Sequence, residues 1–277
     1  MTDYPMNWEG AVSWLRHQPD KQQLVRDCYY DDPLLKAAER FRESVEWAAI
    51  RAELGEARGR RALDLGAGRG IAAYALAKDG WEVTALEPDP SDLVGAGAIS
   101  ALMAEAELSV EIVTEWGESL PFADASFDAV HCRQALHHAA DLNQMLVEIG
   151  RVLKPDGLFI ATREHVLSKR EDLDAFLKSH PLHHLYGGEN AFTLDEYRDA
   201  IATAGIVLDK CLNPLASEIN TSPRTRHEIK GGIASRFRFP FPSLVPDWLV
   251  AWLGSRSDAP GRPYTFVGHK PRGSGGR

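Results

Sequence analysis

Apolar residues recur at helical spacing through the first 58 positions, in the segments WEGAVSWLRH, KQQLVRDCYY and PLLKAAERFRESVEWAAIRAEL. Leu34, Ala37, Ala38 and Phe41 give one face of the third segment, which the pattern predicts to run on as a helix after Asp32 and Pro33. From residue 59 the period changes. Short apolar runs of strand length (61–65, 81–86, 108–113, 127–132 and 158–162) alternate with helical stretches at 70–78, 91–107 and 141–153. A helix at 194–204, a strand at 206–211 and a last strand at 264–269 follow. Strands alternating with helices predict an α/β fold: a mostly parallel sheet covered on both faces, with an N-terminal helical cap over residues 1–58.

Two stretches break the rhythm. Residues 163–192 are rich in His, Glu and Gly and read as a lid or substrate segment of the core that spans 59–213. Residues 214–262 read as an insertion, and within it RFRFPFPSLVPDWLVAWLG (236–254) interleaves aromatic and basic residues, as a lid, a dimer contact or a membrane-surface element would. The last strand falls in 263–270, and the tail 271–277 reads as disordered.

Composition narrows the class. Hydrophobic residues make up 44% of the 277 positions, enough for a sizeable core. The formal charge of −9 argues against nucleic acid as partner, since phosphate contacts want a basic face. No basic segment followed by an apolar run opens the chain, and no apolar stretch approaches the roughly 20 residues that cross a bilayer. Cys28, Cys132 and Cys211 lack metal-ligand or redox spacing and read as reduced thiols of a cytoplasmic protein.

The chemistry begins at LDLGAGRG, residues 63–70. Glycines directly after a strand allow a tight turn and let a ligand approach the backbone, which points to Gly66 and Gly68. Glu87 closes the second strand, where an acidic group can accept hydrogen bonds from ribose hydroxyls. The dinucleotide fingerprint asks for glycine where Ile71 stands, and a Walker A loop is absent, so a ligand without phosphates fits better. Asp64 can serve an ammonium group.

With VTALEPDP (83–90), ESLPFADASFDAVHCRQALHH (118–138) and EIGRVLKPDGLFI (148–160), the chain resembles the class I S-adenosylmethionine-dependent methyltransferases. The resemblance runs over about residues 60–162 and implies a Rossmann-like fold with a seven-stranded sheet. It implies S-adenosylmethionine as methyl donor and S-adenosylhomocysteine as product. It puts Asp64, Gly66 and Gly68 at the methionyl part, Glu87 at the ribose, and Pro88 beside adenine. Trp116, Gly117 and Glu118 fall in the loop that holds the adenine edge, with Trp116 where an acidic residue is usual. Arg133 is counted with the donor site, and Arg133 and Arg163 are candidates to hold a carboxylate or phosphate.

The acceptor end is expected at the carboxyl edge of strands four and five. Seven of the ten histidines lie between 131 and 184, and imidazole is the side chain best suited to proton transfer near neutral pH. His165, His138 and His137 are the candidate acid–base residues. Tyr29, Tyr30, Gln134, Arg163, Glu164, His180, Tyr186, Glu189 and Asn190 are the candidate acceptor contacts. Glu164, His165, His180, His183 and His184 are of metal-ligand type, but no tight spacing such as HExxH joins them, and no metal is expected. The function expected is methyl transfer to a small-molecule acceptor, by a monomer or homodimer. Use of the donor for cyclisation or another carbon-group transfer, and non-catalytic donor binding, are the competing readings.

Overall fold

The strands of the computed structural model, which describes residues 4–272, are β1 (Arg61–Leu65), β2 (Glu82–Leu86), β3 (Glu111–Val113) and β4 (Phe127–Arg133), then β5 (Leu153–Leu167), β6 (Phe192–Thr193), β7 (Val207–Leu212) and β8 (Arg262–His269). They form one sheet in the order β3-β2-β1-β4-β5-β8-β7, with two-residue β6 added beside the end of β5. Every pairing is parallel except those of β8, which runs antiparallel to β5 and β7. This is the Rossmann-like methyltransferase fold, with seven strands on the main path and β6 as an addition. Of the expected disordered tail, residues 273–277 lie outside the described residues.

Both faces of the sheet centre are covered, so β1, β2 and β4 are buried along most of their length rather than half polar, while the outer strands β3 and β7 are partly exposed. Neighbouring residues of one strand serve opposite layers. Ala62, Val83 and Ala129 pack under the helices Ile71–Lys78, Leu34–Arg42 and Val45–Leu54. Leu63, Leu65 and Val130 pack under Leu142–Val152 and Leu194–Thr203. The helix Leu142–Val152 shows why local sequence suffices here: Asp141 accepts from the Gln144 N–H at its start, and Leu142, Met145, Leu146 and Ile149 line its buried side.

Three expectations are corrected. The stretch 33–54 is two helices, because Ser44 accepts from the Trp47 N–H and starts the second. The fifth strand runs on to Leu167, so Arg163, Glu164 and His165 belong to the sheet rather than to a loop. Its pairing with β8 shifts between Ala161 and Glu164, where Arg163 takes a left-handed φ of 59°. The third strand starts only at Glu111.

Two segments meet over the carboxyl edge of the sheet. Ala11, Val12, Leu15 and Val25 of the N-terminal helices share a small core with Val94, Leu182 and Leu185. Residues 218–255 hold three α-helices, Glu218–Thr221, Arg226–Phe237 and Asp247–Ser255, and a short 3-10 turn at Pro242–Leu244, with Ile229, Ile233 and Val250 inside and Phe241, Trp248 and Trp252 exposed. Among the described residues no helix is long and apolar enough to cross a membrane.

Candidate functional site

The turn after β1 is pinned to the neighbouring strand: Gly66 and Ala67 both donate to the Leu86 carbonyl, at 2.9 and 3.1 Å. Gly66 has φ of +70°, and a side-chain carbon there would stand 2.6 Å from Ala135 Cβ, so both conformation and space require glycine. Gly68 N–H donates to Glu87 Oε2 at 2.7 Å, and Asp89 N–H donates to Oε1 at 3.0 Å. Burial pushes the Glu87 carboxyl up, opposed by these two donors. Each oxygen keeps a lone pair for a ligand hydroxyl.

Asp64 is buried, and its Oδ1 accepts from His131 Nδ1 at 2.8 Å. Its Oδ2 has no partner among the described residues. Leaving such an oxygen unsatisfied costs roughly 1–3 kcal/mol, a cost that a ligand ammonium would remove. Arg69, inside the glycine turn, donates to the carbonyls of Tyr29 (2.9 Å) and Asp31 (3.1 Å) and to Asp32 Oδ1 (2.6 Å). It thereby ties the N-terminal cap over the turn.

Arg133 lines the same space but is already neutralised. Buried Glu46 accepts from its Nε at 2.7 Å and Nη2 at 3.3 Å, and the rings of Tyr29 and Phe41 lie against it. Burial works against the Arg133 charge, and Glu46 beside it more than restores it. The expectation of a free guanidinium for a ligand anion is corrected accordingly.

Histidines crowd the far end. The chain leaves β4 through the turn Leu136–His138, and β5 passes beside it. Glu164 lies fully buried under that turn and accepts from the N–H groups of Ala135 (3.0 Å), Leu136 (3.2 Å) and His137 (3.1 Å), and from His137 Nδ1 (2.8 Å). It supports His137 and does not face a ligand, which corrects its assignment to the acceptor. His165 Nδ1 lies 2.9 Å from the Gly261 carbonyl, and His138 Nδ1 3.0 Å from that of Gly188. Since these partners only accept, Nδ1 carries a proton on each ring. Burial holds His137, His165 and His180 below the usual imidazole range, hence neutral. It pushes Glu164 up.

These two ends bound one cavity of about 500 Å³, within the range of roughly 300–1,000 Å³ usual for small-molecule sites. Asp64, Gly66, Gly68, Glu87 and Pro88 line one end, with Trp116, Gly117 and Glu118 beside them; Trp116 lies at the rim, mostly exposed. The Glu118 carboxylate is engaged by the Ala140 N–H at 2.8 Å. Tyr29, Tyr30, Arg133 and Gln134 continue the wall to His137, His138, His165, His180, Tyr186 and Glu189. Two further expected contacts lie elsewhere. Arg163 spends its guanidinium on the carbonyls of Ile219 and Ser222, and the Asn190 side chain accepts from the Ala191 N–H. Sequence reasoning missed Glu46, Arg69 and His131. Only Arg69 carried a signal, as a charged residue between two glycines of the turn.

Residues 63–161 match the family described as methyltransferase domain. The uncharacterized methyltransferase YcgJ of Bacillus subtilis is 32% identical over 159 residues, 54% of this chain and 56% of that protein. The chain thus spans little more than half the length of that relative. The crystal structure of YcgJ superposes with a TM-score of 0.55 at 21% identity, over 83% of this chain and 99% of YcgJ. That of the [4+2]-cyclase SpnF gives 0.56 at 24% identity, over 86% and 82% of the two chains. Haemonchus contortus phospholethanolamine N-methyltransferase 2, in complex with phosphomonomethylethanolamine and S-adenosylhomocysteine, gives 0.55 at 22%, over 82% and 52%.

Proposed function

We propose that this chain, whose residues 63–161 match a methyltransferase domain family, transfers the methyl group of S-adenosylmethionine to a small-molecule acceptor. The observation that carries the reading is a single cavity with two unlike ends: partnerless carboxylate capacity at the glycine turn, and neutral imidazoles opposite. The donor fits the first end. Asp64 Oδ2 would hold its ammonium and Glu87 its ribose hydroxyls, with Pro88 and the Trp116–Glu118 loop against adenine.

When bound, the donor supplies a methyl on a sulfonium, which departs as a neutral thioether. The protein's part is then alignment, exclusion of water and care of the acceptor proton. The N-terminal cap, tied down by Arg69, closes the cavity from above. His137 is the side chain best placed to take a proton from an acceptor hydroxyl or amine: Glu164 fixes its ring, and Nε2 is left free. His165 lines the same end with its own Nδ1 anchored. A cavity of this size suits a metabolite or natural-product acceptor, and the Haemonchus enzyme, solved in complex with phosphomonomethylethanolamine, is similar in fold. We place this chemistry in the cytoplasm, on the three unpaired cysteines and the acidic charge.

The test is product analysis. Methyl-labelled S-adenosylmethionine is incubated with the protein and a panel of phenols, amines and carboxylates. Equimolar labelled product and S-adenosylhomocysteine are expected. SpnF, of similar fold, is a cyclase, which keeps open a reaction that leaves the methyl in place. Turnover of a panel compound without S-adenosylhomocysteine would favour that reading.

Asp64→Asn gives a sharper check on the donor end. Asparagine still accepts from His131 but removes the charge facing the ammonium. Loss of a charge-assisted hydrogen bond of about 1.5–3 kcal/mol predicts affinity for S-adenosylhomocysteine down by about ten- to a hundredfold. Unchanged affinity by calorimetry would move the ammonium elsewhere.

A further inference from the structure

We propose that His137, His165 and Glu189 form a binding site for a divalent first-row transition metal at the acceptor end of the cavity. One ligand atom from each residue, two imidazole nitrogens and a carboxylate oxygen, lies within 4.8 Å of the other two. All three residues line the cavity, so further coordination positions would open onto the space where an acceptor sits.

Three observations carry the assignment. The first is an unsatisfied group. The Glu189 side chain is only 4% exposed; Tyr186 donates its hydroxyl to Oε1, while Oε2 has no hydrogen-bond partner among the described residues. The second is spacing. His137 Nε2 stands 3.7 Å from Glu189 Oε2, too far for a hydrogen bond. Two ligands of one ion, each about 2.0–2.2 Å from it at a tetrahedral angle, are roughly 3.4 Å apart. The widest of the three separations needs to close by about 1 Å or a little more, within the reach of side-chain torsions.

The third is the layer behind the ligands. Metal-binding imidazoles usually donate their other ring N–H to a carboxylate or a backbone carbonyl, which fixes ring and tautomer. His137 does so to Glu164, and His165 to the Gly261 carbonyl. Two imidazoles and one carboxylate suit zinc or ferrous iron and do not suit magnesium or calcium, which prefer all-oxygen sets. The residues come from three separate segments, so no spacing in the sequence announces them.

The site stands on its own donors; only its role rests on the proposed function. An acceptor oxygen binding the ion would be held as the anion, its proton released to water, at a pH where the free hydroxyl is protonated. This points to acceptors that present a phenol, enol or hydroxy-acid oxygen.

The 277-residue chain, stripped with chelator and dialysed, is titrated with cobalt(II) chloride and followed by visible absorption. Zinc retained after gel filtration is then measured by elemental analysis. One ion per chain is expected, with an intense cobalt band displaced by zinc. Glu189→Gln and His165→Ala should each weaken binding by more than about tenfold, and Glu164→Gln, which releases the His137 ring, by about 10- to 100-fold. Circular dichroism and S-adenosylhomocysteine binding by the metal-free variants report folding, so a collapsed variant is replaced by the other. No stoichiometric binding by the wild type, or undiminished binding in the folded variants, overturns the site. S-adenosylhomocysteine binding without metal binding would sink the metal site and leave the donor site standing.

Discussion

Replacing Glu46 with glutamine is expected to lower the free energy of unfolding by about 3–5 kcal/mol, the usual cost of leaving one member of a buried ion pair without its partner. Glu46 is 1% exposed and faces Arg133 through two hydrogen bonds, with Arg163 Nη1 at 3.8 Å. Glutamine keeps the shape and removes the charge, so both guanidiniums lose the anion that offsets their desolvation. The pH dependence follows from the sign of the shift. Burial alone would raise the Glu46 carboxyl, but Arg133 and Arg163 outweigh it and hold it below the usual range. The folded pKa is thus depressed. The stabilisation is fully present above the unfolded value of about 4.3 and is lost as pH falls through the folded one. The difference between wild type and Glu46→Gln in denaturant titrations should be flat near neutral pH and shrink in acid. A difference under about 1 kcal/mol near neutral pH, the worth of a surface pair, would mean that the pair is solvated.

His137→Ala should lower methyl-transfer turnover by about 10²- to 10⁴-fold, the range of a positioned general base, while donor affinity changes little. The ring is held by Glu164 and makes no hydrogen bond to Asp64 or Glu87 among the described residues, so its loss should be felt in kcat far more than in donor Kd. Glu164 keeps its three backbone donors in the variant, which limits damage to the turn. An equal fall in turnover and donor affinity would mark the residue as structural. The same dependence on His137 is expected whether its Nε2 takes the acceptor proton or holds the proposed ion, and the cobalt titration separates these.

The end of the cavity proposed for the donor is legible in the sequence because it is local. A strand, a glycine turn and an acid at the next strand's end lie within 27 residues of chain, from Arg61 to Glu87. Parallel strands buried on both faces read as short apolar runs, so β1, β2 and β4 stood out. β5 stood out only over residues 158–162, because Arg163, Glu164 and His165 interrupt the apolar run beyond them; their polarity comes from tertiary partners that the sequence does not display. The same cause hid the fate of Arg133, whose partner Glu46 is 87 positions away. The acceptor end is legible only as an excess of histidine. Which rings meet depends on residues 180–189 folding back against the N-terminal helices through Leu182 and Leu185. Hence Glu164 reads in the sequence as an acceptor contact, and in the fold it is the support beneath His137.

The most direct measurement is calorimetric titration of the wild-type protein and Glu87→Ala with S-adenosylhomocysteine. One saturable site per chain is expected. Loss of hydrogen bonds to a charged acceptor, worth about 1.5–3 kcal/mol, should weaken it by about ten- to a hundredfold in the variant. Absence of saturable binding to the wild type, or equal affinity in the two proteins, would contradict the placement of the donor between the glycine turn and Glu87.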